Sequence, residues 1–180
     1  MNPPDQFRTD RLLLRRVAAD DVSALYETYT ADPEVTTFLS WPTHQSPAET
    51  QEFVDHALAS WEDGSEFIWM LVPHDHGRPI GAVGAVPGPH GVEIGYVLGQ
   101  RWWGRGLMAE AVTAVMEWLQ QQPGIYRIWA YCAAVHERSA RVLQRAGMSY
   151  EALLRRWVVL PNFADEPSDA KVYAWIRPDG

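Results

Sequence analysis

Between residues 98 and 108 the chain reads Leu98-Gly99-Gln100-Arg101-Trp102-Trp103-Gly104-Arg105-Gly106-Leu107-Met108. An apolar run ends there, a short segment with two glycines and two arginines comes next, and a helical pattern begins. The first turn of a helix carries unpaired N–H groups and the positive end of the helix dipole. Gly104 and Gly106 have no side chain to hold a phosphate off those N–H groups, and Arg101 and Arg105 add formal positive charge. Such a loop suits a diphosphate. The same glycines also suit a tight turn with no ligand, and the motif alone leaves both readings open. Two other phosphate loops fit poorly. A Walker-type loop ends in Gly-Lys-Ser/Thr, whereas Leu107 comes after Gly106. A dinucleotide fingerprint needs three glycines and an acidic residue ~20 residues on.

Two further residues carry reactive groups in suggestive places. In the strand before the loop, Val92, Ile94, Tyr96 and Leu98 fall on one face and Glu93, Gly95 and Val97 on the other. Glu93 is thus an acidic residue on a central strand, beside a glycine that leaves room for a ligand. The other reading is a carboxylate on the wet face of the sheet. Ser139 shares a helical stripe with Val142, Leu143 and Ala146, which turns its hydroxyl inward. Its alternative partner is the carbonyl four residues back. His74-Asp75-His76 lies in a turn, and two ligands do not make a metal site. Cys132 comes after a buried strand with no evident base partner and reads as a packed thiol.

The framework around these residues can be read from periodicity. A strand at 11–15 leads to a helix with Val22, Leu25, Tyr26 and Tyr29 at helical spacing, capped by Asp20 or Asp21 and ended by Pro33. Ser46-Pro47-Ala48-Glu49 opens a second helix with a capping box, stopped by Gly64. Strands at 67–72, 79–86 and 92–98 are separated by short turns and form antiparallel hairpins. A long helix at 106–121, with Met108, Ala111, Val112, Val115 and Leu119 as its stripe, links the third of these to a strand at 125–131. That link is a right-handed parallel crossover. A helix at 137–146 and strands at 153–159 and 171–176, joined by a loop at 161–168, complete an α+β sheet.

Composition bounds the class. The chain has 180 residues, one domain's length. Its 15 Lys+Arg against 23 Asp+Glu give a net charge of −8, which argues against general nucleic-acid binding. The single cysteine allows no intrachain disulfide and no cysteine-based zinc site, so a reducing compartment fits. No secretory signal opens the chain, and no apolar run approaches the ~20 residues of a membrane helix. A cytoplasmic protein without membrane attachment is expected.

Arg101-x-x-Gly104-x-Gly106 after a strand resembles the acyl-CoA loop of the GNAT acetyltransferase superfamily. Thr9-Asp10-Arg11-Leu12-Leu13-Leu14-Arg15 resembles the opening strand of its ribosomal-protein N-terminal (alanine/serine) acetyltransferase branch. Glu93-Ile94-Gly95-Tyr96, Trp103-Gly104-Arg105-Gly106 and Glu110-Ala111 are similar to that branch's central signature. The segment from His136 to Leu143, with Gly147-Met148 and Glu151, resembles its Asn-x-x-Ser-x-x-x-Leu…Gly-Phe…Glu stretch, with His136 in place of Asn and Met148 in place of Phe. The similarity spans about residues 9 to 176.

The resemblance implies a single N-acetyltransferase domain over residues 1–180. It implies a GNAT-like, mostly antiparallel sheet of about seven strands with one splayed parallel pair, flanked by about four helices. It implies acetyl-CoA as cosubstrate, no metal, and transfer to a primary amine by direct attack in a ternary complex. The acceptor would be a protein N-terminus or a small-molecule amine. Glu93 would be the base, directly or through water, and Ser139 would serve the departing thiol. Cofactor contacts fall on Tyr96, Val97 and Leu98, on Arg101, Trp102, Trp103, Gly104, Arg105, Gly106 and Leu107, and on His136 and Arg141. A backbone N–H of Tyr96 or Val97 would meet the oxyanion. Phe38, Trp41 and Trp157 are candidate acceptor contacts. A homodimer is common in the branch. A non-catalytic acyl-CoA-binding or sensor module is the alternative reading.

Overall fold

A computed structural model describes residues 1–178. Eight strands form one sheet: β1 (Gln6–Arg8), β2 (Leu12–Arg16), β3 (Phe67–Pro73), β4 (Gly81–Gly88), β5 (Gly91–Leu98), β6 (Arg127–Ala133), β7 (Ser149–Leu160) and β8 (Ala164–Ile176). Their order is β1-β2-β3-β4-β5-β6-β8-β7. Every pair is antiparallel except β5–β6. The helices are α1 (Val22–Leu25, continued by a π turn over Tyr26–Thr30), α2 (Pro33–Thr36), α3 (Pro47–Asp63), α4 (Leu107–Gln121) and α5 (Glu137–Arg145). None is long and apolar enough to cross a membrane among the described residues.

β3 has all seven residues buried, since helices cover both faces of the sheet there. Trp69 and Leu71 face one core with Leu107, Ala111, Val115 and Leu119 of α4. Ile68 and Met70 face the other with Leu25, Tyr29, Val54 and Ala57. Phe7, Trp61, Trp69 and Trp118 form an edge-to-face aromatic chain with centroids 5.2–6.1 Å apart. The Tyr29 hydroxyl is buried without a hydrogen-bond partner among the described residues.

Several elements depart from the expectation. β1 is an added edge strand of three residues, too short for periodicity to signal. The first helix does stop ahead of Pro33, at Thr30, but Pro33 also starts α2, where the Asp32 side chain caps the Glu34 amide. The capping box at α3 does not close: Glu49 reaches the amide of Gln45 rather than that of Ser46. The loop at 161–168 contracts to a turn at 161–163, because β8 begins at Ala164.

The parallel pair opens a fork in the sheet. Only Val92↔Ile128 and Glu93↔Trp129 are in register, and beyond them β5 and β6 part. Gly95, on the separating stretch, has open space where a Cβ would stand.

Candidate active site

A cleft of about 1460 Å3 opens from this fork. One wall is the segment 102–109 together with α5. The other is the loop from α2 to α3, with Glu66, Glu93 and Tyr131 between them.

The glycine loop has the geometry that phosphate binding needs. Gly104 and Gly106 both have φ of +77°, a left-handed conformation that other residues adopt at a cost. Gly106 is the N-cap of α4, and among the described residues no side chain caps that helix. Among the described residues, the amides of 104–109 donate to no turn or loop backbone acceptor. The loop is braced instead through other groups. The Trp103 indole donates to the Leu98 carbonyl at 2.7 Å. Arg11 donates to the Arg105 carbonyl at 2.8 Å. The Arg138 guanidinium of α5 lies 5.0 Å over the Trp103 ring, tying the loop to the neighbouring helix. Arg101 and Arg105 are exposed and do not line the cleft; Arg105 rests over Trp102 at 5.1 Å.

Glu93 is half-buried at the base of the fork. Burial pushes its carboxyl above the usual range, and the Glu66 carboxylate nearby pushes the same way. Glu66 precedes β3; a Cβ on Gly84 would stand 3.2 Å from its Oε1. Burial raises Glu66 too, opposed by His56 at 3.6 Å.

Ser139 is buried in the first half of α5, and its Oγ is 2.7 Å from the Tyr96 hydroxyl. The same Tyr96 hydroxyl reaches the Ser139 carbonyl at 3.1 Å. The serine therefore faces β5 rather than its own helix. Burial pushes the Tyr96 phenol up, which keeps its proton in place. Cys132 lines the same pocket as a free buried thiol, raised by burial, with Ser139 as a hydrogen-bonding neighbour pulling the other way.

His136 precedes α5, and its ring stacks on Phe38 at 4.4 Å and 27°. Burial, then Arg138, lowers its pKa to about 4, so the ring is neutral at ordinary pH. It brings two polar nitrogens to the wall but no charge.

The structure brings together Glu93, Ser139, Tyr96, Val97, Leu98, Trp102, Trp103, Gly104, Gly106, Leu107, His136, Arg141, Phe38 and Trp41 around one cleft. Trp157 stands outside its lining, exposed and edge-on to Tyr131 at 4.9 Å. Glu66, Tyr131, Arg138 and Arg145 join the lining without having been singled out from the sequence. The arginine spacing at 138, 141 and 145 is a helical stripe and was the one available signal. Charge is unevenly spread over the lining: α5 contributes Arg138, Arg141 and Arg145 beside Glu137, which is paired with Lys171, and elements away from it contribute Glu34, Glu66 and Glu93 with His56. Among the described residues no group of three or more His, Cys, Asp or Glu gathers as a metal site.

Comparison with known proteins gives this cleft a context. A family model described as acetyltransferase (GNAT) domain matches residues 11–149. The [ribosomal protein uS5]-alanine N-acetyltransferase of Escherichia coli (strain K12) is 30% identical over 168 residues, covering 88% of this chain and 85% of its own. The fold is shared with a GNAT-family acetyltransferase from Bacillus anthracis, with TM-score 0.83, 23% identity, and 97% and 99% of the two chains covered. It is shared also with the microcin C7 self-immunity acetyltransferase MccE, solved with acetyl-CoA and AMP, with TM-score 0.86, 17% identity and 97% of each chain covered. A splayed parallel pair, a bare helix start beside it and a match that runs through both lead to one assignment: the chain belongs to the GNAT acetyltransferase family.

Proposed function

We propose that the protein moves an acetyl group from acetyl-CoA to a primary amine by direct attack in a ternary complex. One observation carries this reading. The uncapped amides at the start of α4 open onto the same cleft as Glu93, at the fork of β5 and β6. Segment 101–107 would hold the diphosphate through backbone N–H groups, with Arg101 and Arg105 adding long-range positive charge. Tyr96, Val97, Leu98, Trp102, Trp103, His136 and Arg141 would contact the rest of the donor. A neutral His136 can still donate and accept one hydrogen bond each.

The chemistry needs three things. The amine must lose a proton, the thioester oxygen must be stabilised as it gains charge, and the thiolate must leave. Glu93, raised by its surroundings, accepts the amine proton directly or through water. An amide of Tyr96 or Val97 meets the oxyanion. As nitrogen bonds to the acetyl carbon and the carbon–sulfur bond breaks, Ser139 donates a proton to sulfur, and Tyr96 stands ready to replace it. Acetyl-CoA supplies the activated acetyl group; orientation and proton handling are the chain's part.

Phe38 and Trp41, with Trp157 behind Tyr131, form the acceptor side. A protein N-terminus is the favoured acceptor class, supported by the uS5-alanine relative, and a small-molecule amine is the other. We read residues 1–180 as one domain, because one sheet runs from β1 to β8. A cytoplasmic enzyme is part of the same reading, with a homodimer and a monomer both open as its assembly.

Calorimetry with acetyl-CoA should give binding, and thiol release should appear with peptides of varied N-termini or with small amines. Glu93→Gln should lower kcat ~100-fold or more while acetyl-CoA affinity stays within twofold. Binding without thiol release from any amine would favour the sensor module; no binding at millimolar acetyl-CoA would end the transferase reading.

A further inference from the structure

We infer that Asn162 is the positioning residue of the acceptor wall: it pins both ends of the 36–43 loop, and through Trp41 and Phe38 sets the affinity for the amine while leaving acetyl-CoA binding alone. The inference rests on the reading that this wall receives the acceptor.

Asn162 sits in the three-residue turn between β7 and β8. Its Nδ2 donates to the carbonyls of Thr36 at 2.9 Å and Trp41 at 2.8 Å. Its Oδ1 accepts from the Thr43 amide at 2.9 Å and the Thr43 hydroxyl at 3.2 Å. A primary amide has two N–H donors and one carbonyl with two lone pairs. All four go to a single loop at least 119 residues away in sequence. The partners also define the amide's orientation, since carbonyls face the nitrogen and donors face the oxygen.

The loop has little else to order it across the cleft. Its neck is closed by Thr36 Oγ1 and Thr43 Oγ1 at 2.6 Å, one turn bond joins the Leu39 amide to the Thr36 carbonyl, and the remaining bonds are local: Thr37 Oγ1 donates to the Pro33 carbonyl at 2.7 Å and Gln45 Nε2 to the Thr43 carbonyl at 3.0 Å. Its two aromatic residues point to opposite tasks. Trp41 packs beside the core under α3 and lines the cleft. Phe38 stacks on His136 and tilts over Phe163, the residue after Asn162, at 5.0 Å. The hairpin tip, the loop and the start of α5 thus form one closed bridge. Without the Asn162 amide, two carbonyls and one N–H must find water, and the loop regains conformational freedom that binding an amine would have to remove. The bridge meets the donor side at His136 alone, which is held without the loop by its amide on the Ala133 carbonyl at 2.8 Å and by its carbonyl at the start of α5, and the diphosphate segment, braced by Arg11 and Trp103, takes no part in it.

Asn162→Ala removes all four bonds. Asn162→Asp is nearly isosteric, keeps the acceptor towards Thr43 and loses both donors. In both variants hydrogen exchange of peptides covering 36–43 should quicken at least tenfold, with peptides elsewhere unchanged. With saturating acetyl-CoA, the KM for the best amine of a panel of N-terminal-alanine and N-terminal-serine peptides and small amines should rise fivefold or more. The kcat and the calorimetric acetyl-CoA Kd should stay within twofold. Thr43→Val, which deletes only the hydroxyl contacts, is the milder variant if the others fold poorly, and should move KM the same way by less. Unchanged loop exchange overturns the clamp. A loosened loop with unchanged amine KM, or with acetyl-CoA Kd rising in step, overturns its role in acceptor binding. Absence of thiol release from the unmutated protein with every amine overturns instead the transferase reading, and the acceptor role falls with it, while loop exchange still decides the clamp.

Discussion

Arg11 and Glu110, one at the entrance of β2 and one in the first turn of α4, are joined by two hydrogen bonds: Nε to Oε2 at 2.6 Å and the Arg11 amide to Oε1 at 2.9 Å. The Thr9 hydroxyl adds a third at 2.6 Å. Burial disfavours the Glu110 carboxylate, but these bonds outweigh it and hold its pKa below the usual range. The same guanidinium binds the Arg105 carbonyl, so the loop's acceptor is occupied while its donors stay free. Thr9 and Arg11 thus brace the segment that leads into α4. Arg11→Ala should weaken acetyl-CoA binding about fivefold to tenfold, the equivalent of one lost hydrogen bond of ~1 kcal/mol, and leave amine KM unchanged. Isothermal calorimetry measures the first and steady-state kinetics the second; equal affinity would remove the brace from donor binding.

Glu66 should tune the base. It raises Glu93 through like-charge repulsion, second to burial. A base works when deprotonated, so kcat/KM should climb with pH through the raised Glu93 value. Glu66→Gln removes the repulsion, and the acid limb of the pH–rate profile should move to lower pH. A limb that stays in place, or moves up, contradicts the coupling.

His136 should make the fold sensitive to mild acid. Its folded pKa of about 4 lies below the ~6.5 of an unfolded histidine. The unfolded chain therefore binds more protons between those values, and stability falls as pH drops from about 6.5 towards 4. Above that window the group contributes no slope. His136→Gln should lose several degrees less of melting temperature than the unmutated protein between pH 7 and pH 4.5. Parallel losses in both would show that His136 is not the responsible group.

Tyr29→Phe should be neutral or stabilising by up to ~1 kcal/mol, because among the described residues the buried hydroxyl has no partner to lose. Urea unfolding decides this, and a clear destabilisation would reveal a hidden partner such as a bound water.

Local features were legible and remote ones were not. Gly104 and Gly106 stand out because a left-handed turn ahead of a helix restricts residue type within a few positions. The β5–α4–β6 crossover can be read from periodicity and loop length. Ser139 could be seen to face inward, but its Tyr96 partner depends on how α5 lies on β5. Glu66 joins Glu93 only through strand register, and Asn162 meets Thr43 only through the packing of a hairpin tip on a loop. The start of β8 was hidden for another reason. Residues 165–168 read Asp-Glu-Pro-Ser and are mostly exposed, on a hairpin at the sheet's edge with register shifts, so no alternation marks them.

The contrast between the arginines of α5 and the carboxylates elsewhere in the cleft has a kinetic reach beyond contact. If the cleft takes a polyanionic donor and a cationic acceptor, as proposed, each would be drawn towards the charge that complements it before touching the protein. Raising ionic strength would screen both encounters together, so the apparent association rates of the two substrates should fall side by side although they occupy separate walls.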